Sequence, residues 1–204
     1  VDIRVIEEFR KQSIPVVLVN NYLDMDGLVC ISADHYGGAV QATEYLCKLG
    51  HCKIGLLSGR FSPQVSEARI EGFVKTLAKY DIPVDDRFIA DIEPALEDGE
   101  EIMTRMLREV DRPTAFFCTN DTIAAGAMKA VTRAGLRVPE DIAIVGFDDS
   151  YISRVVEPEL TTVRIDAAKM GCLAMQTLFD LIAGMPVEKA HIQIPTELIV
   201  RGTA

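Results

Sequence analysis

Residues 114–149 read TAFFCTNDTIAAGAMKAVTRAGLRVPEDIAIVGFDD, and this stretch decides the fold. Its first five residues are apolar and rich in β-forming side chains, which predicts a buried strand. A helix is predicted next, because apolar residues recur at helical spacing until Gly135 and Pro139 end the pattern. Residues 142–147 predict a second strand. Because a helix joins the two strands, we expect them to be parallel neighbours in an α/β protein.

Two polar pairs, Asn120-Asp121 and Asp148-Asp149, directly follow these predicted strands. In open α/β sheets, ligands bind at the edge formed by the carboxyl ends of the strands. Amide and carboxylate groups that converge there can bind the hydroxyl groups of a ligand. Because Asp is a preferred N-cap residue, Asp121 and Asp149 are predicted to cap the helices that follow. Asn120 and Asp148 are predicted to face the ligand.

Two further candidates, Asn20 and Arg69, lie elsewhere in the chain. Asn20 follows the apolar residues 16–19, a predicted strand, so its position is of the same kind as that of Asn120. An asparagine that only forms a turn explains Asn20 equally well. Arg69 lies in a helix predicted for residues 62–79, where an arginine is more often a surface residue. At the strand-end edge, however, its guanidinium could clamp an oxygen-rich ligand.

The composition argues against nucleic-acid and membrane binding by this chain. With 204 residues and 49% hydrophobic content, it can bury one or two substantial cores. Its net charge is −10, and residues 81–101 contain nine acidic residues and one basic residue. Such a surface repels phosphate backbones, so we expect no direct contact with nucleic acid. No apolar run approaches the length of a membrane span, and no signal peptide is visible, so no membrane contact is expected.

Metal, cofactor and catalytic motifs are also not expected. The five cysteines are odd in number and scattered through apolar segments, as in proteins of a reducing, cytoplasmic compartment. Cys47, His51 and Cys52 form a local cluster, but a structural zinc site needs four ligands and no second pair follows. Residues 58–62 match neither of the glycine-rich phosphate-binding motifs. No nucleophile with a base is evident, so the chain is not expected to be an enzyme.

Several stretches of the chain form a series that is found in one protein family. They are IPVVLVNN, LGHCKIGLLSG, EARIEGF, TAFFCTND, GLRVPEDIAIVGFDD, PELTTVRID and PTELIVRGTA. In order and spacing this series resembles the effector-binding part of the lactose-repressor and galactose-repressor (LacI/GalR) family of bacterial transcription regulators. The resemblance covers essentially all 204 residues.

The resemblance implies a fold of two lobes, each a parallel sheet flanked by helices (periplasmic binding protein-like, type I), with the ligand between them. The chain would cross between the lobes three times, near Asp34, Ile165 and Pro195. The implied division is residues 1–34 with 165–194 for a partial N-terminal lobe, and residues 35–164 with 195–204 for a whole C-terminal lobe. The beginning of the effector domain and the DNA-reading helix-turn-helix would be absent, which agrees with a first residue, Val1, that is not Met.

The resemblance also implies a site and partners. The implied ligand contacts are Asn20, Arg69, Asn120 and Asp148. A sugar or sugar derivative is the implied effector, because this polar set suits hydroxyl groups better than flat bases. The parent protein is expected to be a homodimer, partly through residues 123–133 and 151–157, and to bind DNA only through its helix-turn-helix. Two departures concern the ligand: Ile92 stands where many members carry an aromatic residue, and Pro63 and Val65 stand where purine-responsive members use polar groups.

The predicted function is therefore ligand sensing in a transcription regulator, in which the ligand closes the lobes and changes operator affinity. A periplasmic sugar-binding protein for transport shares the fold, but would carry a signal peptide and few free cysteines. An α/β enzyme is a third class, and would need a catalytic constellation that the sequence does not display.

Overall fold

The computed structural model describes residues 2–187 and 190–204. The helices are α1 (Ile3–Lys11), α2 (His35–Lys48), α3 (Pro63–Lys79), α4 (Leu96–Met106), α5 (Asp121–Arg133) and α6 (Ala167–Ile182), with short 3-10 helices at Asp86–Phe88 and Tyr151–Arg154. The strands are β1 (Val17–Val19), β2 (Val29–Ala33), β3 (Ile54–Gly59), β4 (Ile89–Ile92), β5 (Ala115–Cys118), β6 (Ala143–Asp148), β7 (Thr161–Arg164), β8 (His191–Ile194) and β9 (Glu197–Ile199). Strands alternate with helices along most of the chain, as the sequence predicts for an α/β protein.

The chain divides into two compact units. Unit 1 is Val1–Asp34 with Asp166–Pro195, and unit 2 is His35–Ile165 with Thr196–Ala204. The first boundary coincides with the one derived from the resemblance, and the other two lie one residue further along the chain. That these units are a partial and a whole lobe of one effector domain stays a prediction.

Unit 2 is built on a six-stranded sheet in the order β4-β3-β5-β6-β7-β9. The first five strands are parallel neighbours, whereas β9 pairs antiparallel with β7 at the edge of the sheet. Successive residues of β5 point to opposite faces, so Phe116 packs among side chains of α4 and α5, and Phe117 packs against α2 and α3. Both faces are covered, which is typical of parallel sheets.

The helix α5 is mostly interior. A side chain at Gly126 would collide with the carbonyl of Leu96, so glycine lets α4 and α5 approach closely. Only Lys129, Thr132 and Arg133 are exposed on this helix. Residues 123–133 were expected to contribute to a dimer surface, but burial within unit 2 leaves them little surface for that role.

Unit 1 contains a three-stranded parallel sheet in the order β1-β2-β8. Its core includes Ile6, Leu18, Leu28 and Cys30, and α6 packs against β1 and β2. None of the helices in the described part of the chain is both long and apolar enough to cross a membrane.

Candidate ligand-binding site

The carboxyl ends of β3, β5 and β6 lie side by side in unit 2, and the candidate site is at this edge. Because these strands are parallel neighbours, the residues that follow them emerge together. Thr119 joins two of these ends: its backbone N–H donates to the Leu57 carbonyl at 2.9 Å, and its hydroxyl accepts from the Gly59 N–H at 2.7 Å. Hydrogen bonds within the protein therefore hold the backbone at this edge, independently of a ligand.

Arg69 extends from α3 into this edge and is buried, with 2% of its surface exposed. Its guanidinium donates to the Thr119 carbonyl, and one nitrogen lies 3.2 Å from both His35 Nδ1 and Asp148 Oδ1. The expectation that such an arginine is usually a surface residue is wrong here. Burial lowers the pKa of the guanidinium, but from so high a value that it remains charged at neutral pH.

Two aromatic rings complete the environment of this cation. The guanidinium carbon lies 3.8 Å from the centre of the Phe147 ring and 5.0 Å from that of Phe61. Such cation–π contacts stabilise a charge that has lost most of its water. In contrast, the Arg69 Nε–H is buried and makes no hydrogen bond within the described residues. The site thus holds a positive charge rigidly, with one donor unused.

Asp148 is the more accessible partner in this ion pair, with 35% of its side chain exposed against 3% for Arg69. Its surroundings nevertheless remove enough water to raise the pKa of its carboxyl group to about 6. The nearby Arg69 opposes this increase, and the negative charge of Asp121 adds to it. A half-exposed carboxylate beside a fixed cation is well suited to accept hydrogen bonds from ligand hydroxyl groups.

Asn120 has a structural role that the sequence analysis assigned to its neighbour. Asn120 is the N-cap of α5: its side-chain oxygen accepts the backbone N–H of Ile123 at 2.8 Å. Asp121, predicted to be the cap, is instead the first helical residue and is 1% exposed. Asn120 is 8% exposed, and its bond to Ile123 uses only the side-chain oxygen. One end of this side chain is therefore used by the fold, and the other is available as a donor.

Asp121 and Asp149 both bind neighbouring groups instead of capping helices. The Asp121 carboxylate accepts the Thr162 hydroxyl at 2.5 Å and the Ser150 N–H at 2.6 Å. The Asp149 carboxylate accepts hydrogen bonds from Arg164 at 2.7 Å and from Arg201 at 2.5 Å. The cap predictions for these two residues are wrong, because α5 starts one residue earlier than assumed and only a short 3-10 helix follows Asp149.

His35 is a member of the site that the sequence analysis missed. Its ring lies 6.1 Å from the Phe147 ring, and its Nδ1 faces Arg69. Burial, reinforced by the charge of Arg69, lowers the pKa of His35 to about 3, so the imidazole is neutral at physiological pH. A histidine that opens a helix gives no signal of this kind in the sequence, since its partner is 34 residues away.

Three of the four predicted ligand residues therefore gather at one edge of unit 2. Arg69 contacts Asp148 directly and binds the carbonyl next to Asn120. The fourth, Asn20, belongs to unit 1, where it ends β1. It is exposed and has a φ of 53°, as a turn-forming asparagine would. Its N–H donates to the Ile31 carbonyl at 2.7 Å, which extends the pairing of β1 with β2.

The sequence of the chain matches that of a known protein family. A family model described as a periplasmic binding protein-like domain matches residues 43–204. The HTH-type transcriptional repressor PurR of Pasteurella multocida is 35% identical over 191 residues, which are 93% of this chain and 57% of that protein. The chain thus spans less than two thirds of the length of this curated relative.

Solved structures agree with the sequence matches. A regulatory protein of the LacI family from Chloroflexus aggregans superposes with a TM-score of 0.90 at 30% identity, covering 97% of this chain and 71% of that one. A LacI-family transcriptional regulator from Enterococcus faecium, solved with bound ribose, gives a TM-score of 0.90 at 26% identity, with coverages of 100% and 75%. The chain therefore belongs to the periplasmic binding protein-like domain family, in the form found in LacI-family regulators.

Proposed function

We propose that this chain is the ligand-sensing part of a cytoplasmic transcription regulator, and that its ligand is a sugar or sugar derivative. The observation that carries the proposal is the pairing of a partly exposed Asp148 carboxylate with a buried, fixed Arg69 at the strand-end edge. The relatives support regulation over transport, since the curated relative is a repressor. Regulators are not enzymes, and we propose no catalytic activity for this chain.

The polar groups at the edge of unit 2 are proposed to play different roles in binding hydroxyl groups. Asp148 supplies acceptors, and the amide of Asn120 supplies donors, because its oxygen is occupied by Ile123. Arg69 is held by three protein groups, so we propose that it acts mainly by fixing Asp148. Any direct bond to the ligand would come from a donor that these bonds leave unused, such as its Nε–H. This refines the expectation that the Arg69 guanidinium itself clamps the ligand.

The regulatory step is proposed to be lobe closure. A ligand that binds the closed state more tightly than the open state shifts the protein towards closure, and this difference in affinity is what drives the change. Coupling of this kind is usually worth about 1 to 3 kcal/mol, or roughly a 5- to 150-fold change in operator affinity. Small-angle scattering of the full-length gene product with and without ligand tests the closure.

We further propose that the full-length protein is a homodimer that binds DNA through a helix-turn-helix, because operators read by this motif are commonly two-fold symmetric. The 3-10 helix Tyr151–Arg154 and the residues after it offer the better surface: Tyr151 is 85% exposed and Val155 is 58% exposed. Sedimentation equilibrium of the full-length gene product at micromolar concentration measures this association.

Calorimetric titration of the full-length gene product with ribose, the sugar bound in the Enterococcus faecium regulator, tests the sensing function. Asp148→Asn should weaken binding by about 1.5 to 3 kcal/mol, the range for hydrogen bonds to charged groups. Asp141→Asn is the matched control, because Asp141 is also an aspartate paired with an arginine, but lies outside the site. If neither ribose nor any other sugar or sugar phosphate binds, the assignment of a sugar ligand is wrong. If Asp148→Asn binds the sugar as tightly as the wild type does, the assignment of Asp148 to the site is wrong.

A further inference from the structure

The turn that carries Asp148 has an unusual backbone. Asp148 has a φ of 111° and Asp149 a φ of 50°, so two successive residues with side chains lie in a region that such residues seldom adopt. Strained residues of this kind persist only where the surrounding structure determines them. The groups that hold this turn therefore also determine where the Asp148 carboxylate points.

Asp149 supplies the strongest of those contacts. Its side chain is 2% exposed, and its two oxygens accept from Arg164 at 2.7 Å, from Arg201 at 2.5 Å and from the Ser153 hydroxyl at 3.0 Å. A third arginine, Arg154, makes a longer contact of 3.5 Å. Burial opposes the negative charge, but the bonds from Arg201, Arg164 and Ser153 together lower the pKa of the Asp149 carboxyl to about 2. Asp149 is consequently ionised over the whole physiological pH range.

The two arginines are themselves anchored to different parts of unit 2. Arg201, 11% exposed at its side chain, also donates to the Leu160 carbonyl at 2.7 Å and to the Ser153 hydroxyl at 3.2 Å. Arg164 ends β7 and lies opposite Asp148 in the strand register. Asp149 thus ties the end of β6 to β7 and to the last residues of the chain.

We propose that Asp149 is a positioning residue of the ligand site: held by Arg164 and Arg201, its carboxylate fixes the turn that aims Asp148 at Arg69. The proposal rests on the proposed function only for the statement that Asp148 binds ligand. The geometric part, from Asp149 through the turn to the Asp148–Arg69 contact, holds without a ligand.

Asp149→Asn is the most informative variant. Asparagine tolerates positive φ and keeps a hydrogen-bond acceptor, so the turn can still form, but the charge that attracts both arginines is lost. Asp141→Asn is the matched control, because it removes the charge of a partly exposed aspartate that pairs with Arg137 away from the site.

The first measurement is made on the protein without ligand. Nitrogen-15 spectra of the Arg69 side-chain N–H groups in the full-length gene product report the Asp148–Arg69 contact, with Arg69→Lys used for assignment. We expect Asp149→Asn to shift these resonances and to speed their exchange with solvent, whereas Asp141→Asn leaves both as in the wild type. A folded Asp149→Asn protein, checked by circular dichroism, with unchanged Arg69 resonances overturns the proposal.

A second pair of variants covers the case in which Asp149→Asn does not fold. Arg201→Met removes one of the two closest cations on Asp149 and should change the Arg69 resonances in the same direction. Arg201→Lys keeps the charge and should restore them in large part. If Arg201→Met folds and leaves the Arg69 resonances of the wild type, the proposal is wrong.

The second readout is ribose affinity. Asp149→Asn should weaken ribose binding about ten-fold, the order of one hydrogen bond to a charged group, while Asp141→Asn should not change it. If ribose does not bind the wild type, only the choice of ribose as the sugar fails, and the Arg69 spectra alone decide the positioning role. If ribose binds Asp149→Asn as tightly as it binds the wild type, Asp149 does not position the site.

Discussion

Asn120-Asp121 and Asp148-Asp149 look alike in the sequence, but the structure uses them differently. Each pair follows a parallel strand, and the sequence suggested the same division of roles in both. In the first pair, Asn120 caps α5, and the buried Asp121 accepts hydrogen bonds from two neutral groups, the Thr162 hydroxyl and the Ser150 N–H. In the second pair, Asp148 faces Arg69 and Asp149 is bound by arginines.

The element that follows each pair explains the difference. After β5 only two residues, Thr119 and Asn120, precede a long helix. Asn120 therefore serves as its cap and keeps only its amide N–H groups for a ligand. After β6 only a 3-10 helix follows, and its N-cap residue, Ser150, makes no side-chain cap bond. Neither side chain of the second pair is therefore needed as a helix cap. Asp148 can bind a ligand, and Asp149 can hold the turn in place.

The largest expected effect tests the anchoring role of Asp121. Asp121→Ala would leave the Thr162 hydroxyl and the Ser150 N–H without their acceptor. Each such buried group costs about 1 to 3 kcal/mol, so we expect the free energy of unfolding in urea to fall by about 3 kcal/mol. Asp121→Asn keeps one acceptor oxygen and should lose clearly less. A loss below about 1 kcal/mol for Asp121→Ala would show that water replaces the carboxylate.

The second expected effect is a dependence of the free energy of unfolding on pH. It arises near the pair Asp148-Asp149, because His35 and Asp148 both contact Arg69. The folded pKa of His35, about 3, lies below the unfolded value of 6.5, so the stability it contributes is complete above pH 6.5 and decreases as the pH falls. From pH 6.5 to pH 5 this loss amounts to about 2 kcal/mol. Asp148 acts in the opposite direction: its raised pKa, about 6, makes its contribution greatest at low pH and lost as the pH rises through 6.

His35→Gln separates these two contributions. Glutamine retains an acceptor for the Arg69 guanidinium but cannot be protonated in this range. We expect its free energy of unfolding to fall less than that of the wild type between pH 6.5 and pH 5, leaving the opposite trend of Asp148 visible. Parallel pH profiles for the two proteins, measured by urea unfolding, would contradict a buried neutral His35.

The sequence predicted the architecture of unit 2 because hydrophobic periodicity and strand-end position are local signals. Alternation of Phe116 and Phe117, the ends of α5 and the polar residues after each strand are all readable within a few positions. The resemblance added the series of stretches that extends along the chain, and it supported Arg69, which its position at the strand-end edge had already suggested. Together they predicted the fold class and three residues that the structure gathers at one edge.

What the sequence could not predict depends on partners that are distant along the chain. His35 and Arg69 are 34 residues apart, and Arg201 and Asp149 are 52 apart, so no local pattern links them. The exchange of roles between Asn120 and Asp121 has a different origin: both are good cap residues, and one residue of helix register decides between them. The apolar side of α5 was predicted, and the residues on it are buried. Its alanines suit a dimer surface and a packed core equally well, so the sequence could not decide between these two roles.

The smallest expected effect concerns Asn120, the one residue proposed to serve both the fold and the ligand. Asn120→Ala removes the 2.8 Å bond to the Ile123 N–H and should lower the free energy of unfolding by about 1 kcal/mol. Asp166→Ala is a matched control, because Asp166 caps α6 by accepting the Lys169 N–H at 2.8 Å and belongs to unit 1. Asn120→Ser keeps a capping oxygen but has no amide, so its stability should stay near that of the wild type while its ribose affinity decreases. If Asn120→Ser binds ribose like the wild type, the amide is no ligand donor, and Asn120 is a cap alone, leaving Asp148 as the one ligand residue of the two pairs.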